Sequence, residues 1–190
     1  MDCLQYLKGT VDLGPTYYTE SGPIIVSECD AAHAVYEGGN DHIGIRHCVG
    51  DRNNAPFSVT SRKQQTCVTL CPSGGELIAL TETCKEIIVF RNFAEDIGFP
   101  QPGPTTLYSD CDPAITMATS KELTKNSKIY TAKEGFVRQC VARGLVTLTH
   151  IAGQGNPTDL LAKPTIGADF ILKRNALLNV KANPDFAKYT

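Results

Sequence analysis

Four acidic residues lie at the ends or beginnings of predicted elements, where their carboxylates could hold metal ions. Asp30 and Asp110 each end an apolar, strand-like run, whereas Glu76 and Asp159 each open a helix-like segment. If the two strands are parallel neighbours, both aspartates emerge at the same edge of the sheet. Such a cluster repels itself unless cations neutralise it. Two Mg²⁺ or Mn²⁺ ions about 3.5–4 Å apart would do so and could cleave a phosphodiester bond.

Each of these acids also has a purely structural interpretation. Ser73-Gly-Gly-Glu76 matches a capping box, in which Ser73 caps a helix and Glu76 supports the cap. Asp159 would interact favourably with a helix dipole, and Asp30 and Asp110 could be turn formers at strand ends. The occurrence of all four acids in strand, helix, strand, helix order favours the metal site over these separate explanations.

Hydrophobic periodicity and turn residues predict the elements that must position the acids. A helix follows Ser73 and ends near Gly98, and another follows a second capping box at Thr131 and ends at Gly144. Short helices are predicted over Pro113–Ala118 and Thr158–Ala162. The predicted strands are Ile24–Asp30, His42–Val49, Phe57–Leu70, Thr105–Asp110 and Leu145–Ile151. This order indicates a mixed α/β domain.

Composition limits the remaining classes of protein. The chain has 190 residues and a net charge of −2, which fits one domain without a global basic field. It contains neither an apolar run long enough to span a membrane nor a secretory signal, so no membrane partner is expected. Eight cysteines form no C-x-x-C pair, which favours buried thiols. A cysteine-rich redox or zinc module is therefore the less favoured alternative.

Six stretches, in order, resemble the ribonuclease H domain at the end of the Pol polyprotein of copia-type LTR retrotransposons. The first, Leu4–Gly14, is similar to the segment that connects the reverse transcriptase to that domain. The others are similar to its strands, its first helix and its closing signature: Asp30-Ala-Ala-His-Ala34, Ser61–Thr66, Glu76-Leu-Ile-Ala-Leu80, Leu107–Ile115 and Gly155–Pro164.

The resemblance implies a ribonuclease H-like α/β fold, with a five-stranded mixed sheet flanked by helices. Residues 21–165 would form the domain, 1–20 an arm that resembles the reverse transcriptase connection, and 166–190 a helical tail. Asp30, Glu76, Asp110 and Asp159 would be both catalytic acids and metal ligands. The implied activity is cleavage of the RNA strand of RNA–DNA hybrids with two divalent ions. The reverse transcriptase part of the same polyprotein would be a second partner. The protein would be intracellular and would lie in the cytoplasm, in a virus-like particle or in the nucleus.

A local basic segment could contact the nucleic acid. Residues 121–143 carry a net charge of +4 within a chain of net charge −2. The predicted contacts to the hybrid are Lys125, Lys128, Lys133 and Arg138, with Lys63 and Gln64 as weaker candidates. A solvated helix face would have the same composition. His150 is a candidate proton shuttle, although a plain strand-end histidine is the preferred interpretation.

Several residues depart from the family pattern. Cys71-Pro-Ser-Gly-Gly-Glu76 stands where the family usually has Ser-Ser-Thr-Glu-Ala-Glu, and the two glycines are expected to loosen the backbone before Glu76. Cys111 stands where Asn is common, and Ile129 and Gly135 where histidines are frequent. These departures keep a second interpretation open: a catalytically decayed or host-co-opted ribonuclease H-like domain that binds nucleic acid or serves a structural role.

Overall fold

The computed structural model describes residues 3–18, 22–64, 69–120, 130–153 and 156–180. Five strands and six helices lie in this part of the chain. The strands are β1 (Ile25–Ala32), β2 (His42–Val49), β3 (Pro56–Lys63), β4 (Thr105–Ser109) and β5 (Val146–His150). The helices are α1 (Cys3–Gly9), α2 (Pro72–Asp96), α3 (Asp112–Thr119), α4 (Thr131–Ala142), α5 (Asp159–Ala162) and α6 (Gly167–Leu177).

The strands form one mixed sheet in the order β3-β2-β1-β4-β5. β1, β2 and β3 pair antiparallel, whereas β4 runs parallel to both β1 and β5. The predicted five-stranded mixed sheet flanked by helices is therefore confirmed. β1 lies at the centre of the sheet, so nearly all of its residues are buried, including the charged Glu28 and Asp30.

The two faces of the sheet are covered by different helices because side chains alternate along each strand. Cys29 and Ile45 belong to the hydrophobic core that Leu77 and Leu80 of α2 complete. On the opposite face, the backbone of Gly44 in β2 approaches Leu161 of α5. The prediction of buried thiols is confirmed for Cys29, Cys48, Cys84 and Cys140, and the described cysteines are all free.

Both predicted capping boxes are wrong. α2 begins two residues earlier than predicted, with Cys71 at the N-cap and Pro72 in the first turn, where the fixed φ of proline suits a helix. No side-chain hydrogen bond caps either α2 or α4, and the N-cap of α4 is Tyr130, which makes Thr131 the first helical residue. The third strand is also shorter than predicted, since β3 ends at Lys63.

The two ends of the described chain meet through aromatic side chains. The rings of Tyr6 in α1 and Phe170 in α6 lie edge to face with centroids 5.7 Å apart. Helix α6 (Gly167–Leu177) lies within the predicted tail, and the division into arm, domain and tail stays a prediction. Among the described helices, none combines the length and hydrophobicity that crossing a membrane requires.

Candidate metal centre

The parallel pairing of β1 and β4 brings Asp30 and Asp110 to the same level of the sheet. Glu28 pairs in register with Tyr108, and each aspartate lies two residues further along its strand direction. Asp30 is still inside β1 and almost fully buried, whereas Asp110 directly follows β4 and is partly exposed. This arrangement is the sheet edge that the sequence predicts.

Glu76 reaches the two aspartates from the first turns of α2. Its Oε1 accepts a hydrogen bond of 3.1 Å from the backbone N–H of Ala31, the residue after Asp30. One carboxylate oxygen from each of Asp30, Glu76 and Asp110 lies within 4.8 Å of the other two. Three of the four predicted acids therefore converge on one point, and a strand backbone fixes the third carboxylate there.

Asp159 lies beside this group and is joined to it by a lysine. Nζ of Lys163 lies 2.5 Å from Oδ1 of Asp159 and 3.3 Å from Oδ2 of Asp30. The ammonium of Lys173 in α6 also bonds to Asp159. The fourth acid is thus bound by two cationic side chains and is not part of the three-carboxylate cluster.

Burial changes the charge state of the three-carboxylate cluster. Burial raises the pKa of Glu76 from its ordinary value to about 8, and the charge of Asp30 adds to the rise. Burial also raises the pKa of Asp30 to about 6, although Lys163 opposes the change. Partial burial also tends to raise the pKa of Asp159, but hydrogen bonds from Lys163 and Lys173 outweigh it and bring that pKa below its ordinary value.

The cluster has the chemistry of a site for a hard divalent cation. Oε2 of Glu76 is buried and accepts no hydrogen bond from the described residues, and Oδ2 of Asp30 is buried with only the ion pair to Lys163 described above. Carboxylate oxygens are the protein ligands that Mg²⁺ and Mn²⁺ prefer. A cation would neutralise the mutual repulsion that favours protonation of these acids, so the donor set fits such an ion.

The glycines before Glu76 do not loosen the backbone, and that expectation is wrong. Gly74 and Gly75 are buried inside the regular helix α2. A Cβ atom on Gly74 would overlap the phenol ring of Tyr130, and one on Gly75 would overlap Oδ2 of Asp41. These glycines are therefore required by close packing, which holds the start of α2 against its neighbours.

The predicted nucleic-acid contacts fall in different environments. Lys63 is exposed, with its Nζ 4.9 Å from the ring centroid of Tyr36, whereas Gln64 is buried and its side chain does not lie on the surface. Lys133 and Arg138 lie half-buried on α4. Lys125 and Lys128 lie outside the described residues, so their contacts stay predictions.

His150 ends β5, beside the strand that leads to Asp110. Its Nε2 lies 3.8 Å from Oδ2 of Asp112, and both side chains are largely exposed. The register pairs His150 with Ser109, one residue before Asp110. A role as proton shuttle stays a prediction, and the exposed position of His150 beside Asp112 agrees with the plain strand-end interpretation.

Sequence reasoning missed the residues that hold the acids in place. Lys163 lies four residues after Asp159, a spacing that places both on one helix face and could have been recognised. Lys173 and Asp41 gave no such signal. Asp41 is fully buried and accepts hydrogen bonds from His33, from Thr69 and from the backbone N–H of Ala34.

Comparison with solved structures defines the fold class. A ribonuclease H1 isolated from compost by metagenomics superposes with a TM-score of 0.56 at 15% identity, covering 74% of this chain and 94% of that one. The ribonuclease H1 of Halobacterium salinarum NRC-1 gives a TM-score of 0.52 at 19% identity, covering 73% and 93%. The chain therefore has the ribonuclease H fold.

Sequence comparison adds the kind of protein to which this domain is related. The chain is 30% identical over 101 residues to the retrovirus-related Pol polyprotein from transposon TNT 1-94 of Nicotiana tabacum. That alignment covers 53% of this chain and only 8% of the polyprotein. No protein-family model matches the chain. The fold and this partial sequence similarity agree with the predicted resemblance to the ribonuclease H domain of a retrotransposon Pol polyprotein.

Proposed function

We propose that this domain is a metal-dependent endoribonuclease that cleaves the RNA strand of RNA–DNA hybrids and derives from a copia-type retrotransposon. The observation that carries the proposal is the convergence of Asp30, Glu76 and Asp110 within 4.8 Å on a ribonuclease H fold. The relation to a Pol polyprotein supports the retrotransposon origin. Mg²⁺ or Mn²⁺ is the proposed cofactor, as two ions, because the ligands are carboxylates.

The residues would divide the work according to their positions. Asp30 in β1 and Asp110 directly after the neighbouring β4 would hold the ions, and Glu76 would add a ligand from the side of α2. Asp159 would contribute to the second ion after exchanging its lysine partners. Bound divalent ions supply the activation of a water molecule and the stabilisation of the leaving oxygen in phosphodiester hydrolysis. The hydrogen bond from Ala31 to Glu76 fixes one carboxylate oxygen and leaves the other available.

The proposed substrate contacts are electrostatic and depend on shape. Lys63, the basic residues of α4 and those that precede α4 in the sequence would contact the sugar–phosphate backbone. The hybrid would be recognised by its A-like form and its 2′-hydroxyls. The reverse transcriptase part of a longer polyprotein is a second proposed partner, and an intracellular location is expected of a retrotransposon protein. Binding should weaken as salt rises.

The rival hypothesis is a domain that keeps the fold without catalysis. The glycine pair before Glu76 motivated it, but Gly74 and Gly75 lie in a regular, closely packed helix. Packing of this kind would keep Glu76 in place, which supports retained catalysis.

A strand-resolved cleavage assay tests the proposal. A hybrid with differently labelled RNA and DNA strands is incubated with Mg²⁺ or Mn²⁺ and with wild type, Asp110→Asn or Asp96→Asn. Asp96 is an exposed residue at the end of α2, so its variant controls for loss of one negative charge. We expect RNA-strand cleavage by wild type and Asp96→Asn, abolished by EDTA, with Asp110→Asn slower by at least about a hundredfold, as for loss of a transition-state charge stabiliser.

Two results would contradict the proposal. Equal cleavage rates for wild type and Asp110→Asn would show that the carboxylate cluster does not catalyse the cleavage. No cleavage by any folded variant, with hybrid binding retained, would establish the decayed or co-opted binding domain instead.

A further inference from the structure

The second half of α2 carries an exposed apolar surface. Val89, Phe93 and Ile97 follow one another at intervals of four residues along α2 and its C-cap, which places them on one side of the helix. Their exposed fractions are 62%, 59% and 53%. Phe57 of β3 is 41% exposed and widens this surface, because the centroid of its ring lies 5.0 Å from that of Phe90 in α2. Val89, Phe93, Ile97 and Phe57 together form the α2 face, and neighbouring exposed apolar side chains of this kind are typical of interaction surfaces.

The α2 face lies far from the candidate metal centre. Glu76 is in the first turns of α2, whereas Asp96 is its last residue. At the rise of an α-helix, about 30 Å separates these two residues along the helix axis. The proposed nuclease activity therefore gives the α2 face no role, and contacts made there would leave hybrid cleavage and Mn²⁺ binding by each chain unchanged.

Two side chains of opposite charge flank the apolar residues on the same side of the helix. Lys85 lies four residues before Val89, and Asp96 lies three residues after Phe93. Both are exposed, and the ammonium of Lys85 pairs with Glu82 of the same helix at 2.6 Å. An apolar surface with a positive end and a negative end is complementary to an identical surface turned end for end.

We propose that the α2 face binds a second copy of this chain, with the two α2 helices antiparallel about a two-fold axis. In such a pair each contact between two different residues occurs twice. An axis that sets Val89 against Phe93 of the other copy also sets Lys85 against Asp96 of the other copy, because both pairs of residues are centred on the same turn of α2.

One arrangement therefore satisfies the apolar and the charged contacts together. Phe90 lies at the level of the axis, so Phe57, which packs on it, would lie near Phe57 of the other copy. A partner whose charges were all of one sign would meet a like charge at either Lys85 or Asp96. Because a standard interface buries about 800 Å² per partner and the α2 face is small, we expect a weak dimer with a dissociation constant of about 10–100 μM.

Sedimentation velocity of the full chain in EDTA, over a concentration series from about 1 to 300 μM, tests the proposal. Phe93→Ser removes an apolar side chain from the α2 face, and Leu172→Ser makes a comparable change at a residue of α6 that is 69% exposed. Lys85→Glu sets like charges against each other, whereas Lys85→Glu combined with Asp96→Lys restores opposite charges. Circular dichroism establishes that each variant is folded.

We expect wild type and Leu172→Ser to dimerise equally and Phe93→Ser and Lys85→Glu to dimerise at least about tenfold more weakly. The double variant should return to within about threefold of the wild-type dissociation constant. A wild type that stays monomeric throughout the series, or a dimer that Phe93→Ser does not weaken, would overturn the proposal. Failure of the double variant to recover would overturn the antiparallel arrangement. Since neither hybrid nor divalent cation is present, the result does not depend on the proposed nuclease activity.

Discussion

Nζ of Lys163 lies 3.3 Å from Oδ2 of Asp30, and the same ammonium bonds to Asp159 at 2.5 Å. A positive charge therefore lies between the buried strand acid and the acid that opens α5. Because the ammonium and a divalent cation would compete for the same oxygens, Lys163, together with Lys173, would oppose metal binding by Asp159.

Replacing this lysine should strengthen metal binding. Lys163→Met keeps the alkyl chain and removes the competing charge, so we expect affinity for Mn²⁺ to rise by about tenfold. Calorimetric titration with Mn²⁺ measures the change. Lys85→Met is the matched control because Lys85 is exposed and pairs with Glu82 on α2, away from the cluster. Equal Mn²⁺ affinity in Lys163→Met and wild type would refute the competition.

A methyl group on Gly75 should destabilise the fold. Its Cβ would overlap a carboxylate oxygen of the fully buried Asp41, so we expect Gly75→Ala to lower the free energy of unfolding by about 1–3 kcal/mol, measured by urea denaturation. Gly135→Ala is the control: it lies in α4 with nothing within 4 Å of the added Cβ, and it should be neutral or stabilising by about 0.5–1 kcal/mol. Similar stability of Gly75→Ala and wild type would show that this packing is not required.

Gly44 determines how closely α5 approaches the sheet. An added Cβ would lie 2.7 Å from both Cβ of Leu161 and the backbone oxygen of Thr158. Gly44→Ala should therefore displace α5 together with Asp159, and it should reduce the rate of hybrid cleavage by more than its loss of stability explains. Gly103→Ala is the control: its added Cβ meets nothing within 4 Å, so cleavage rate and stability should both be unchanged. Cleavage at the wild-type rate by folded Gly44→Ala would mean that the position of α5 is unimportant.

The metal-free protein should lose stability as the pH rises. Below about pH 4.5, Glu76 is protonated in both the folded and unfolded chain; between that value and about 8 the unfolded chain ionises first, so higher pH favours unfolding. Asp30 adds the same trend up to about pH 6. Urea denaturation in EDTA at pH 5 and pH 8 should show lower stability at pH 8, and Mg²⁺ should restore more stability there.

Glu76→Gln provides the control for this trend, because glutamine does not ionise. Most of the difference between pH 5 and pH 8 should disappear in that variant. A metal-free wild type that is as stable at pH 8 as at pH 5 would contradict the buried, repulsive cluster.

The strands that carry Asp30 and Asp110 could be predicted because apolar runs that end on an acid identify them. Their parallel pairing was only a condition of the metal-site hypothesis, and the structure meets that condition. The capping boxes failed because Cys71 and Tyr130 occupy the N-cap positions in place of the predicted Ser73 and Thr131. Sequence spacing does not indicate which backbone N–H or side chain donates a hydrogen bond to the carboxylate of Glu76 in the folded protein.

Long-range packing accounts for what sequence reasoning did not find. The contact of Lys173 with Asp159 joins α6 to α5, and Gly75 is explained only by Asp41, which lies before β2. The Glu28–Arg46 pair joins neighbouring strands at positions that read as ordinary polar residues. Such pairs depend on register, which single-residue patterns do not determine.

If Asp30, Glu76 and Asp110 form a cation site, anomalous diffraction from crystals grown with Mn²⁺ will show the ion there. We predict an anomalous peak about 2 Å from carboxylate oxygens of these residues, absent in crystals of Asp110→Asn. A peak elsewhere, with none at this cluster in a folded wild-type protein, would contradict the account.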